Sequence, residues 1–313
     1  RDSGYSGSII VLDPRTGEIL AGASCPSYNP SKVEEYLESD NEEFINKATQ
    51  SLYPPGSIFK IIVAAAALES GAIPADYMFQ CKGYEEINGV TINCSKEEGH
   101  GEISFRDAFA KSCNSAFIQI GMMTGGDKVL EMARAFGVGE KALTGRIEEK
   151  TGLLPGSQDI QGAGIGNLSI GQGKLLITPV QAVRITAVIA SGGMDRGLSL
   201  IRGTTEGGAI DYLEKDPPKR VIKKSTADMI KAMMIDTVNY GTANNLSGAG
   251  VTIAGKTGSA EASYHGEMVV HGWFTGFFPA EEPKYVITVF VESGGSGRGS
   301  AVPLFRQMVE YLN

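Results

Sequence analysis

Apolar and polar residues alternate near both ends of this chain and give way to helical spacing in between. Residues 7–12 and 18–23 are short β-branched-rich runs, and the intervening Asp13-Pro14-Arg15-Thr16-Gly17 supplies turn geometry, so the pair reads as a hairpin. Pro54-Pro55-Gly56 then interrupts the backbone. Behind it lies an Ala-rich apolar stretch, 57–70, stopped by Gly71 with Pro74 beyond, which predicts a buried helix. Helical patterns continue at 104–111, 114–122, 126–136 and 178–191, the last with Pro179 in its first turn. Residues 137–173 are Gly-rich and weakly periodic, which predicts a long wrapping loop. A helix near 225–240 precedes a return to period two at 251–256, 269–278 and 285–292, and a helix at 301–313 closes the chain.

The economical packing joins the N-terminal hairpin to the three C-terminal strands. The expected fold class is therefore α+β: a five-stranded antiparallel sheet flanked by the first and last long helices, plus a mainly helical lobe. We expect one functional unit over 1–313, with a sheet lobe at about 1–70 and 225–313, a helical lobe at about 71–224, and a cleft between them. No internal repeat or low-complexity tract interrupts this pattern.

Composition removes several functions. The chain has 313 residues, 42% hydrophobic and 20% charged, enough for a sizeable core without staples. Its net charge of -8 and pI near 5.1 argue against nucleic-acid binding, which needs a basic stripe to displace counterions. The longest apolar run, 61–68, falls far short of the roughly 20 residues that span a bilayer. No leader-like segment opens the chain at Arg1, and the sequence leaves open whether one has been cut away. The four cysteines, Cys25, Cys81, Cys94 and Cys113, form no C-x-x-C pair and leave the redox compartment open.

Three short motifs carry candidate chemistry. Ser57 and Lys60 stand three apart at the head of a helix, on one face, with the hydroxyl where the helix dipole favours developing negative charge. Lys60 can act as base only when neutral, and moving its pKa from about 10.4 towards 7 takes roughly 4 kcal/mol, which burial and a second cation could supply. Ser112-Cys113-Asn114 lies between two helical patterns, where Ser112 and Asn114 could point into one cleft. Lys256-Thr257-Gly258-Ser259 continues a strand, with Thr257 and Ser259 on one face and Gly258 permitting close backbone approach; a peptide could dock there as an added strand. Each motif alone also fits a bland reading: a surface helix, a helix cap, a strand exit.

Together, in the order S-x-x-K, S-x-N, K-T-G, they resemble the signature of penicillin-binding proteins and class A β-lactamases. The flanks extend the resemblance: Val11 to Pro14, Thr16 to Ala21, Tyr53 to Gly56, His100-Gly101, Ser169 to Gly173, Thr178 to Gln181, and Gly272 to Phe274. Across essentially its whole length the chain is similar to the transpeptidase domain of class B penicillin-binding proteins. That resemblance implies a peptidoglycan D,D-transpeptidase in which Ser57 attacks a D-Ala-D-Ala stem peptide, Lys60 takes its proton and Ser112 relays a proton to the leaving amine. Asn114 would hold the substrate amide, Lys256 and Thr257 the carboxylate, and the backbone N–H groups of Ser57 and Ser259 the oxyanion. It further implies β-lactams as covalent ligands, membrane glycosyltransferase and division or elongation proteins as partners, no required cofactor, and a place on the extracytoplasmic face of the membrane with an N-terminal anchor outside this chain. Ile58 and Cys113 depart from the commonest pattern. A serine β-lactamase or D,D-carboxypeptidase and a non-enzymatic β-lactam sensor are the alternatives. The first lacks a Glu-x-x-Leu-Asn segment after Asn114, and the Ser169 to Gln172 match disfavours the sensor.

Cys81, Cys94 and His100 form a C-x12-C-x5-H set. A Cys81–Cys94 disulfide is the first expectation, a structural zinc the second and free thiols the third. Residues 162–166 are glycine-rich without the strand and helix of a nucleotide loop. His265 and His271 are expected to be structural polar residues.

Overall fold

The turn at 13–17 does join two strands, β1 (Ser6–Asp13) and β2 (Glu18–Cys25). The Asp13 carboxylate accepts the Arg15 backbone N–H at 2.8 Å and its guanidinium at 2.9 Å. Gly17 takes φ +75°, where a Cβ would lie 2.0 Å from the Gly197 carbonyl oxygen. The computed structural model describes residues 4–74, 76–143, 147–213, 216–264 and 266–313, so His265 lies outside it.

Beyond Pro54-Pro55 the chain makes a 3-10 turn, Gly56–Phe59, before α1 (Lys60–Ser70), which Gly71 ends in the left-handed conformation. The next stretch holds β structure that lacks a period-two signature: β3 (Met78–Cys81), the hairpin β4 (Tyr84–Ile87) and β5 (Val90–Asn93), and β6 (Gly101–Ser104), which returns to pair with β3. Strands of four residues are too short for periodicity to declare itself. Three helices follow, α2 (Phe105–Ala110), α3 (Asn114–Thr124) and α4 (Gly126–Ala135).

The loop expected at 137–173 contains a helix, α5 (Ala163–Ser169). Its glycines hid it, yet they serve packing: a Cβ on Gly166 would meet Ile92 at 2.6 Å and Ile87 at 2.9 Å. Thr178 caps α6 (Pro179–Ala190) through a capping box with Gln181. Short pairs then lie between the sheet segments, β7 (Met194–Asp195), the hairpin β8 (Gly203–Glu206) and β9 (Ala209–Tyr212), and β10 (Lys219–Arg220), which joins β7. After α7 (Lys224–Asn239) come β11 (Ala254–Tyr264), β12 (Glu267–Phe278) and β13 (Tyr285–Glu292), a π-helical turn at Gly297–Ala301 and α8 (Val302–Leu312).

The large sheet has the order β11-β12-β13-β1-β2 with antiparallel neighbours throughout. β11 runs eight residues beyond the expected strand at 251–256 because β12 pairs with it up to Tyr264–Glu267. Its outer edge faces the cleft. The helices covering the sheet differ in part from expectation: α8 packs on one face through Phe305 against Phe274 and Phe278, but α6, not α1, covers β1, β12 and β13 on the other. α1 is apolar on every side, from Ile61 to Ala67, and so sits one layer deeper among α3, α4 and α7. Its Ile61 and Ala64 belong to a single core that also holds Leu12 and Phe290 of the sheet and Phe105 and Phe117 of the helices.

Candidate active site

Ser57 is delivered by a turn that glycine makes possible. Gly56 has φ +54°, and a Cβ on it would stand 2.5 Å from the Ser259 carbonyl oxygen. Its N–H donates to Gly171 O at 2.9 Å, while Trp273 Nε1–H donates to Pro54 O at 3.1 Å. Gly258 supplies the matching hollow: a Cβ there would meet Ile58 and the Pro55 carbonyl, each at 3.1 Å. The close backbone approach that Gly258 permits is thus that of the nucleophile turn itself.

Lys60 opens α1 and is wholly buried. Its ammonium donates to Ser112 O at 2.8 Å, to Asn114 Oδ1 at 2.8 Å and, at 3.3 Å, to Ser112 Oγ. Lys256 Nζ reaches the same Ser112 hydroxyl at 2.9 Å, and also donates to Thr257 O. No carboxylate faces either lysine in these contacts. Burial brings the Lys60 pKa down to about 8, against an opposing pull from Cys113 and Cys94. Burial pushes Lys256 well down too, with repulsion from Lys60 next. The rings of Phe117 and Phe109 lie 5.2 and 5.6 Å from the two ammonium groups and offset part of the desolvation.

Ser112 holds this position with φ +54°, a left-handed conformation uncommon outside glycine. Cys113 then caps α3, its sulfur accepting Ala116 N–H at 3.4 Å. Ser57, Ser112, Asn114, Thr257 and Ser259 line one cleft of about 800 Å³, roofed by Val90 to Asn93. The three motifs are therefore assembled around one space. Lys60 and Lys256 are both fully buried and stand behind Ser112, which carries their contacts to the cleft wall.

Residues 7–310 match the penicillin-binding protein transpeptidase domain model. The chain belongs to that family. It is 31% identical to peptidoglycan D,D-transpeptidase PbpA of Mycolicibacterium smegmatis, over 98% of this chain and 67% of that protein. Among solved structures it superposes on penicillin-binding protein A of M. tuberculosis in a ceftriaxone acyl-enzyme complex with a TM-score of 0.86, at 29% identity, covering 98% of this chain and 74% of the other. A complex of penicillin-binding protein PBP2 with MreC from Helicobacter pylori gives a TM-score of 0.85 at 26% identity, covering 98% of this chain and 60% of the other.

Within this transpeptidase domain, sequence reasoning missed Thr242, whose hydroxyl pairs with that of Thr257 at 2.5 Å, and Arg298, held by Asn244 at 2.8 Å; both line the cleft. Nothing in their local sequence signals this, because they reach the cleft from the loop after α7 and from the π-helical turn.

The cysteines correct a second expectation. Cys81 and Cys94 are not joined; both are free thiols. Together with Cys113 they turn towards His100, and the four donor atoms lie within 4.8 Å of one another. Cys81 Sγ is 3.5 Å and Cys94 Sγ 3.7 Å from His100 Nδ1, while Cys94 and Cys113 sulfurs are 3.8 Å apart. Zinc with bonds of about 2.3 Å to sulfur spaces tetrahedral ligands about 3.8 Å apart, so this donor set fits the metal. The fourth donor atom of the cluster comes from Cys113, inside the second motif. His271 is a buried structural residue, as expected: its Nδ1 accepts Ser293 N–H at 3.1 Å, and burial lowers its pKa.

Proposed function

We propose that this domain is a peptidoglycan D,D-transpeptidase acting through an acyl-enzyme on Ser57, and that β-lactams trap that intermediate. The observation that carries the reading is Ser112 Oγ, held between two buried lysines at the wall of the cleft that Ser57 also lines. A neutral Lys60 takes the Ser57 proton as Oγ bonds to the carbonyl of the penultimate D-Ala. The oxyanion is received by the backbone N–H groups of Ser57 and Ser259; losing one such donor costs about 3–4 kcal/mol. The C–N bond then breaks, and Ser112 relays the proton now on Lys60, 3.3 Å away, to the departing D-Ala amine, with Lys256 holding its hydroxyl from the other side. An amine of a second stem attacks the ester, and the proton it loses returns to Ser57. Asn114 meets the substrate amide, and Thr257 with Arg298 meets the terminal carboxylate.

Intact-mass analysis after penicillin exposure, with peptide mapping, tests this directly. One adduct on Ser57 is expected, and none on Ser57→Ala. Rapid nitrocefin turnover would point instead to a β-lactamase, and failure to process a thioester donor to a sensor.

Cys81, Cys94, His100 and Cys113 hold a structural zinc in this reading, which supplies a cross-link between the β3–β6 roof and the second motif. The donor set and its spacing support it. Metal analysis of protein purified without chelator should find one zinc per chain; a metal-free folded protein would retire the idea. The substrate places the domain on the extracytoplasmic face of the membrane. No described helix is long and apolar enough to span one. The H. pylori complex supports a protein partner of the MreC kind; a membrane glycosyltransferase is the second partner in this reading.

A further inference from the structure

One side-chain amide closes the end of the peptide-binding edge. Gln172 sits just beyond α5 in a turn whose backbone is fixed from both sides. Gly171 O accepts Gly56 N–H at 2.9 Å, and Gln172 N–H donates to Asn167 O at 2.8 Å. A Cβ on Gly171 would stand 2.1 Å from Gly56 O, so the turn lies directly against the nucleophile turn. From there the Gln172 carboxamide reaches the outer edge of β11. The amide is assigned the orientation that pairs both of its ends: the oxygen then accepts Glu261 N–H at 3.1 Å and the nitrogen donates to Glu261 O at 3.3 Å. These are the two bonds that a residue of a neighbouring strand would make.

Residues of an edge strand turn their N–H and C=O groups alternately inwards and outwards. Glu261 faces outwards, so Ser259 and Thr257 do as well, while Ala260 and Gly258 face β12. An extended donor whose acyl residue exchanges both bonds with Ser259 would next pair, two residues upstream and about 7 Å away, with Glu261. That place is taken.

We infer that Gln172 is a specificity-determining residue, which limits the donor's strand pairing to the acyl residue at Ser259 and turns the upstream chain away from β11. The walls on offer are Val90 to Ile92 on the roof and Met268 and Val270 on β12, all of which line the cleft. The inference rests on the reading of Ser57 as a residue acylated by peptides. Its chemical consequence is that the donor position two residues before the acyl residue needs no regular backbone. A residue joined there through its side-chain carboxyl is tolerated, where an open strand edge would favour an ordinary α-peptide.

Two synthetic donors test this, identical except that the residue two before the acyl D-Ala is linked through its α-carboxyl in one and its side-chain carboxyl in the other. The readout is the ratio of their kcat/KM values, with active enzyme titrated by fluorescent penicillin. In Gln172→Ala the ratio should shift about tenfold towards the α-linked donor, which gains two strand hydrogen bonds at Glu261. Gln172→Glu, which can no longer donate to Glu261 O, should shift the same way by less and serves if the alanine variant fails to fold. An unchanged ratio, even with both rates lowered together, would reduce Gln172 to a structural clamp and overturn the inference. If penicillin does not label the wild-type enzyme at Ser57, the functional reading fails first, and separately.

Discussion

Lys60 and Lys256 approach a single hydroxyl, that of Ser112, at 3.3 and 2.9 Å. Two ammonium groups so close, both stripped of water and neither facing a carboxylate in these contacts, oppose one another's charge. The pair is thereby biased to hold fewer than two protons near neutrality, and a neutral Lys60 is what the proposed acylation of Ser57 needs.

The rate of Ser57 acylation by penicillin should therefore follow the neutral fraction of Lys60. With its pKa at about 8, the rate climbs as pH rises through 8 and levels off above it. At pH 7 about one-tenth of the plateau remains. Stopped-flow acylation between pH 6 and 10 checks this, and a flat profile would remove Lys60 as the base.

The same shift makes a stability prediction. Lys60 has a folded pKa below its unfolded value of 10.5, so the unfolded chain binds the proton more tightly. The resulting destabilisation is fully present below about pH 8 and disappears as pH rises to 10.5. Lys60→Met should be more stable than the wild type at pH 7 by up to about 3 kcal/mol, read as a higher melting temperature, with the difference shrinking towards pH 10. Equal melting temperatures at both pH values would contradict it.

Ser112 combines a needed hydroxyl with an unfavourable backbone. Ser112→Gly should lose acylation by about a hundredfold or more, like Ser112→Ala, yet be more stable than the alanine variant by about 1 kcal/mol because glycine accepts φ +54° without penalty. Thermal melts of the two variants decide it.

Lys47 is another buried lysine, but a paired one: it binds Glu292 at 3.1 Å and Glu42 at 2.5 Å. Burial opposes its charge and the two carboxylates outweigh that, leaving its pKa raised. Glu292 in turn accepts the hydroxyls of Tyr53 and Ser6. Lys47→Met strands Glu292 in the interior and should cost about 3–5 kcal/mol by urea denaturation. A loss below 1 kcal/mol would mean that water replaces the lysine.

Cys113→Ser should lower both metal content and melting temperature, whereas Cys25→Ser, outside the cluster, should change neither. Equal behaviour of the two variants would remove the metal site.

The sequence by itself determined much of this protein. Where a run repeated its period, as at 285–292 or 114–122, the element formed within a few residues, β11 excepted, because burying one face is a local demand written into every second or fourth residue. The three motifs were readable because each is contiguous in the chain. Tertiary structure decided the rest. It set Lys256 and Lys60 on either side of Ser112, brought Cys113 to Cys81, Cys94 and His100, folded a helix over the glycines at 163–169, and set Gln172 against Glu261. Each of these depends on segments that lie far apart in the chain and meet only through a shared core, and such distances leave no trace in local spacing.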